Sequence, residues 1–198
     1  MPIPIVVAIV CLALLLGNSV PAIAKEEIKV GVLAVRGTEK AVKRWDHLVE
    51  YLQKRIPEYN FILVPLSLIE ISASVKNNNV DFVLTNTGNF VVLEHDYNVT
   101  PIATLRDFSQ GYPVTQFGAV LFTRADRSDI NTINDIKGVK LMGVAKTAFG
   151  GFQMAWYELK KRNIDPFRDV ELRFTGLPQD QIVYAVKSGV ADVGTVRT

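Results

Sequence analysis

Cysteine and histidine are nearly absent from this chain. Of 198 residues one is cysteine, Cys11, and two are histidine, His47 and His95. A disulfide framework and a cysteine-based zinc site are therefore excluded, as is a catalytic centre built on several histidines. Charge of one sign is lacking too. Lys and Arg total 22, Asp and Glu 20, for a net charge of +2. Nothing in that balance offsets a phosphate backbone, so no nucleic-acid partner is expected. The first 24 residues carry no charged side chain. Within them Ile5 to Leu16 form an apolar run of 12, too short for a membrane span of roughly 20 residues and of the length of a signal-peptide core. Gly17 and Pro21 break the run, and Ala22-Ile23-Ala24 offers the small-x-small pattern of a cleavage site. Residues 1–24 are expected to be a signal peptide cut before Lys25, and the remainder to be periplasmic.

From Lys25 onward short apolar runs alternate with amphipathic stretches. Ile28–Val35 reads as a buried strand, and Thr38 as the cap of a helix whose stripe is Ala41, Trp45, Leu48, Val49, Leu52 and Ile56. Pro57 ends it. Phe61–Val64 is a second strand. Ser67-Leu68-Ile69-Glu70 is a capping box opening a helix that stops at Asn77-Asn78-Asn79. Asp81–Leu84 is a third strand, followed by the turn Thr85–Asn89, a helix to about His95 and a strand over Pro101–Leu105. This βαβαβ order predicts a parallel sheet covered by helices, with ligands at the carboxyl ends of its strands.

The polar segment Asp107–Pro113 predicts a connection to a second α/β unit. That unit reads as a strand at Gly118–Thr123, a short helix at Ile133–Ile136 and a strand at Val139–Val144. After the turn Lys146–Gly151 comes a helix with Phe152, Trp156 and Leu159 on one face. A strand at Glu171–Thr175, a helix over Gln179–Lys187 with Gly189 just past its end, and a strand over Val190–Val196 containing Asp192 complete it. It shows no residue-level repetition of the first unit.

The strand–Thr–Gly-Gly–helix turn at Lys146–Gly151 is the strongest local signal. Free amides and the helix dipole there favour an anion, Thr147 adds a hydroxyl, and Gly150 and Gly151 leave room for close approach. The P-loop string is absent. Arg36, in the turn after the first strand, carries a fork suited to oxyanions. Asp46 with His47, and Glu94 with His95 and Asp96, are candidate acid–base pairs. Adjacent helical residues diverge, however, and no nucleophile elbow or metal spacing accompanies them, so neither an enzyme nor a cofactor is expected.

Several strings together resemble a known family. They are Gly31–Gly37 with Trp45, Val80–Asn86, Phe149–Trp156, Arg173–Gly176 and Ala191–Thr198. From about Ile28 to Thr198 the chain is similar to the phosphate/phosphonate-type periplasmic binding proteins of ABC transporters. In particular it looks like the sensor modules of that family found in tetrathionate-type sensor histidine kinases. The resemblance implies a type II two-lobe α/β fold, with residues 25–112 as lobe one and 113–198 as lobe two, lacking the C-terminal return to lobe one. It also implies a small anionic solute as ligand, and a membrane-embedded kinase portion or an ABC permease as partner. Its pocket positions map to Arg36, Gly37, Thr85, Asn86, Thr87, Thr147, Ala148, Phe149, Gly150, Gly151 and Asp192. The transporter pattern Ser/Thr-x-Ser-Gly appears here as Thr147-Ala148-Phe149-Gly150, with Phe149 in place of the second hydroxyl.

Overall fold

The computed structural model describes residues 24–198; the expected leader up to Ile23, with Cys11, lies outside them. The first unit runs β1 (Glu26–Leu33), α1 (Thr38–Arg55), β2 (Tyr59–Leu66), α2 (Leu68–Lys76), β3 (Phe82–Leu84) and α3 (Thr87–Tyr97). Its sheet has the order β2-β1-β3, all parallel. Alternation along β1 sends Val30 and Val32 to one face, where Ala41, Trp45, Val49 and Leu52 of α1, and Ile56 just past its end, meet them with Phe61. The predicted stripe of α1 is thus its buried face. The opposite face holds Leu66, Ile71, Val80 and Leu93, from β2, α2, the β3 approach and α3. Ile71 and Leu93 are fully buried, each contributing roughly 1.5–3 kcal/mol of transfer free energy.

Local signals explain the ends of these elements. The capping box of α2 is present: Ser67 Oγ accepts from the Glu70 amide and the Glu70 carboxylate accepts from the Ser67 amide. The α1 cap is Gly37 instead of the expected Thr38. Its φ of 91° lies where a side chain is strained, and Thr38 is already helical.

The expected strand at Pro101–Leu105 does not form. That stretch is exposed and outside every described sheet. Instead the segment read as a connection folds into a hairpin, β4 (Asp107–Ser109) against β5 (Tyr112–Val114). Gln110 and Gly111 between them both have positive φ, 51° and 84°, the requirement of a type I′ turn. The division expected after Tyr112 falls within β5.

The second unit comprises β6 (Ala119–Thr123), a 3-10 turn (Ile133–Ile136), β7 (Lys140–Gly143), a π-helical turn (Phe149–Gln153) continuing into α4 (Met154–Lys160), β8 (Glu171–Phe174), α5 (Asp180–Lys187) and β9 (Val193–Arg197). The sheet order is β6-β9-β7-β8, with β7, β8 and β9 parallel and β6 antiparallel to β9. One face packs Leu141 and Val193 on Leu159 and Ile164; the other packs Met142 and Val144 on Ile182 and Val186. The strand expected from Val190 begins only at Val193, because the amides of Val190 and Ala191 close the end of α5 on the Ala185 carbonyl, at 2.9 and 3.2 Å. The core of this sheet, β8-β7-β9, repeats the β2-β1-β3 order of the first, a topological repetition that residue strings do not reveal.

Candidate functional site

A cleft of about 850 Å³ opens where the turns after β1, β3 and β7 face one another. Eight of the expected pocket residues line it: Arg36, Thr85, Asn86, Thr87, Ala148, Phe149, Gly150 and Gly151. Gly37 and Thr147 belong to the same turns but are not part of the wall.

Asp192 is not brought to the cleft. It precedes β9, at the amino end of the strands, where its carboxylate accepts the Lys140 amide at 2.8 Å and pairs with Arg127. These bonds, the Lys140 amide first, hold its pKa below the usual carboxylate value. Its place in the pocket is therefore withdrawn; its role is to pin β9 to β7.

Arg36 lines the cleft, but its fork is taken. Nη1 and Nη2 donate to the two carboxylate oxygens of Asp180 at 2.6 and 3.0 Å, across 144 residues of sequence. This bidentate pair joins the turn after β1 to the start of α5. It raises the arginine pKa and lowers that of Asp180, in both cases chiefly through the hydrogen bond. The expectation of an open guanidinium at this position is corrected accordingly.

The turn after β3 is built by Asn86, whose carboxamide oxygen caps α3 by accepting the Asn89 amide at 3.0 Å. The buried Asn89 side chain donates to Thr85 Oγ1 at 3.1 Å, leaving the Thr85 proton free to face the cleft. Gly88 stands where a Cβ would fall 2.5 Å from the Thr147 carbonyl oxygen, so the first turn of α3 rests directly on the turn after β7.

That turn differs from the expected glycine-gated helix start. Phe149–Gln153 forms a π turn, and the first two amides bonded back along it are those of Gln153, to Ala148, and Met154, to Phe149. The amides of Gly150 and Gly151 make no hydrogen bond among the described residues. The glycines are required by packing: a Cβ on Gly151 would meet Val144 at 2.5 Å, and one on Gly150 would meet Phe117 at 2.9 Å and Arg197 at 3.0 Å. Room for ligand approach is thus not what selects glycine here.

Wall residues with chemistry to offer that escaped the sequence reading include Lys40, Arg44, Asp107, Gln179 and Arg197. Lys40 and Arg44 lie one turn apart on α1, a spacing that could have flagged them. Arg44 sits over the Trp45 ring at 5.2 Å and Arg197 over Phe117 at 4.4 Å. Their Nη2 atoms approach the same oxygen, Asp107 Oδ2, at 3.8 and 3.9 Å. The charged lining residues are thus Arg36, Lys40, Arg44 and Arg197 against Asp81 and Asp107. Neither candidate acid–base pair is here: His47 and His95 are exposed, bonded only to Glu50 and Asp96 on their own helix. No group of metal-ligating side chains occurs among the described residues, and no described helix is long and apolar enough to cross a membrane.

Comparison with known proteins follows the same lines. Residues 30–198 match the family model described as "ABC transporter, phosphonate, periplasmic substrate-binding protein". The chain belongs to this family. A tetrathionate sensor histidine kinase of Salmonella typhimurium is 33% identical over 168 residues, which are 84% of this chain and 28% of that protein. PhnD1 of Prochlorococcus marinus, solved with methylphosphonate, superposes with a TM-score of 0.70 at 17% identity, covering 86% of this chain and 63% of that one. A Xanthomonas citri protein bound to ATP gives 0.70 at 18% identity, over 88% and 65% of the respective chains. The fold is that of the two-lobe periplasmic binding proteins, and the family is one of substrate binding. The chain spans less than two thirds of each of these relatives.

Proposed function

We propose that this chain is a periplasmic receptor for a small oxyanion, and that it forms the sensory part of a two-component histidine kinase. The observation that carries the ligand class is the charge of the cleft. With Arg36 paired to Asp180 and Asp81 held on the Lys29 amide before β3, Lys40, Arg44 and Arg197 stand against Asp107, beside unbonded amides of Gly150 and Gly151 and the free hydroxyl proton of Thr85. A partly desolvated anion needs several donors at once, and these come from both lobes. The sensor assignment is supported by 33% identity to a sensor kinase, far above the 17% shared with a solved phosphonate-binding relative. The second reading, a solute-binding protein serving an ABC permease, is favoured by the description of the matching family.

Titration calorimetry and thermal shift with sulfate, methylphosphonate, tetrathionate and acetate test the ligand class, because a ligand of the native state raises the melting temperature. At least one of the first three is expected to bind; binding of none overturns the reading. Ligand-dependent phosphorylation of the full-length gene product in membrane vesicles decides for the sensor. Ligand-dependent stimulation of a permease ATPase decides for the transporter.

A further inference from the structure

We infer that Arg44 and Arg197 form a two-guanidinium clamp for the three-oxygen head of the solute, and that Asp107 is its built-in competitor. The inference rests on the oxyanion reading above and assigns the residues that grip the anion.

Each guanidinium lies over an aromatic ring, Arg44 over Trp45 at 5.2 Å and Arg197 over Phe117 at 4.4 Å. A cation–π contact of this kind draws the guanidinium to the ring while its N–H groups can still donate elsewhere. The two arginines come from opposite lobes, one from α1 and one from the end of β9, and converge on a carboxylate of the hairpin β4–β5. That carboxylate satisfies neither. Its Oδ1 accepts the Phe108 amide at 2.9 Å, so Oδ2 alone faces both arginines. At 3.8 and 3.9 Å it lies beyond the 2.7–2.9 Å of a charge-assisted hydrogen bond. Two forks thus share one oxygen without bonding to it. A phosphonate, sulfonate or sulfate group presents three or more oxygens and can engage both forks, which a single-carboxylate ligand does less well. Gly150 packs against the Arg197 stem, so the clamp adjoins the unbonded turn amides. Displacing Asp107 Oδ2 leaves its charge nearby, and that repulsion sets the threshold a solute must overcome.

The test uses the whole chain and its Asp107→Asn, Arg44→Gln and Arg197→Gln variants. Calorimetry with sulfate, methylphosphonate, tetrathionate and acetate reads affinity, and melting without ligand checks that each variant folds. Asp107→Asn is expected to bind the preferred three-oxygen probe about three- to tenfold more tightly. Each arginine variant is expected to bind it at least about tenfold more weakly, consistent with loss of one charge-assisted contact. Acetate is expected to be the weakest probe throughout. If the wild type binds a probe and both arginine variants match it, the clamp falls while the oxyanion reading stands. If Asp107→Asn weakens binding, Asp107 is a support for the arginines and the competitor role falls. If only Asp107→Asn binds, the clamp stands and the wild-type reading falls; if neither binds any probe, both fall.

Discussion

Asp81 and Asp192 occupy equivalent places in the two sheets and do the same backbone work. Asp81 accepts the Lys29 amide at 2.7 Å and returns its own amide to the Lys29 carbonyl at 2.9 Å. Asp192 accepts the Lys140 amide at 2.8 Å and returns its amide to the Lys140 carbonyl at 3.0 Å. Each follows a helix ended by a left-handed residue, Asn78 with φ 53° and Gly189 with φ 78°. Each thereby hooks the incoming strand, β3 or β9, onto the central strand of its sheet. The surroundings differ. Asp192 is gripped by Arg127, which also forks onto Asp129, and β9 is covered on its far side by β6. Asp81 lines the cleft, and β3, only three residues long, bonds to β1 alone among the described residues. One local device therefore serves a closed strand in the second sheet and an edge strand in the first. An edge strand's backbone groups stay open to other partners.

The sharpest way to break this comparison is the position two residues after each aspartate. A Cβ on Gly194 would lie 2.7 Å from both Ile182 Cγ2 and Phe122 Cζ, whereas the first sheet carries Val83 there. Gly194→Val should destabilise the second sheet by about 3 kcal/mol through overpacking. Val83→Ala, at a half-buried edge, should cost about 1 kcal/mol. Native-state hydrogen exchange of β7 and β1 amides resolves the two.

Removing the hooks themselves comes next. Asp192→Ala deletes a charge-assisted bond and strips Arg127 of one of its two partners, for an expected loss of roughly 2–3 kcal/mol in urea unfolding. Asp81→Ala should cost about 1 kcal/mol. Equal losses would show that the Arg127 grip adds nothing to the second hook.

Acid sharpens the contrast further. Arg127 lowers the Asp129 pKa to about 2 from its usual 3.8, and Asp192 is lowered chiefly by the Lys140 amide. A depressed native pKa means stability present in full above the unfolded value and lost as pH falls through the native one. Protection of the β7 amides should therefore persist through the usual carboxylate range and be lost only as the pH falls below it. Asp192→Asn should flatten that decline.

The smallest effect lies at the left-handed positions. Asn78→Gly should stabilise or leave unchanged, within about 0.5 kcal/mol, since glycine adopts positive φ freely. Gly189→Ala should cost about 1 kcal/mol, because its Cβ would also fall 2.8 Å from the Arg124 guanidinium. Thermal melts of the two variants provide the check.

Local, periodic information was enough for much of this molecule. The α1 stripe, the Ser67–Glu70 box, the Gly189 stop and the parallel order of β1, β2 and β3 follow from residue spacing and cap chemistry, which act over a few positions. The turns forming the cleft were legible for the same reason, since parallel strands place their carboxyl-end turns together. Other features depend on partners far away in sequence. Whether Pro101–Leu105 becomes a strand depends on a neighbouring edge, and none of the described strands pairs with it. Arg36 reads as an open fork until Asp180 arrives from 144 residues away. Asp192 reads as a pocket acid until the register of β9 on β7 carries it to the opposite end. Arg44 and Arg197 become a pair only when α1 and β9 are brought to the same carboxylate. Most helices and strands, the Ser67–Glu70 box, the Gly189 stop and the family are written in neighbouring residues, whereas the Gly37 cap and the β4–β5 hairpin came only with the fold. The tertiary structure alone decided which charges meet, because an ion pair is selected by distance in space, and the sequence order of its partners does not record it.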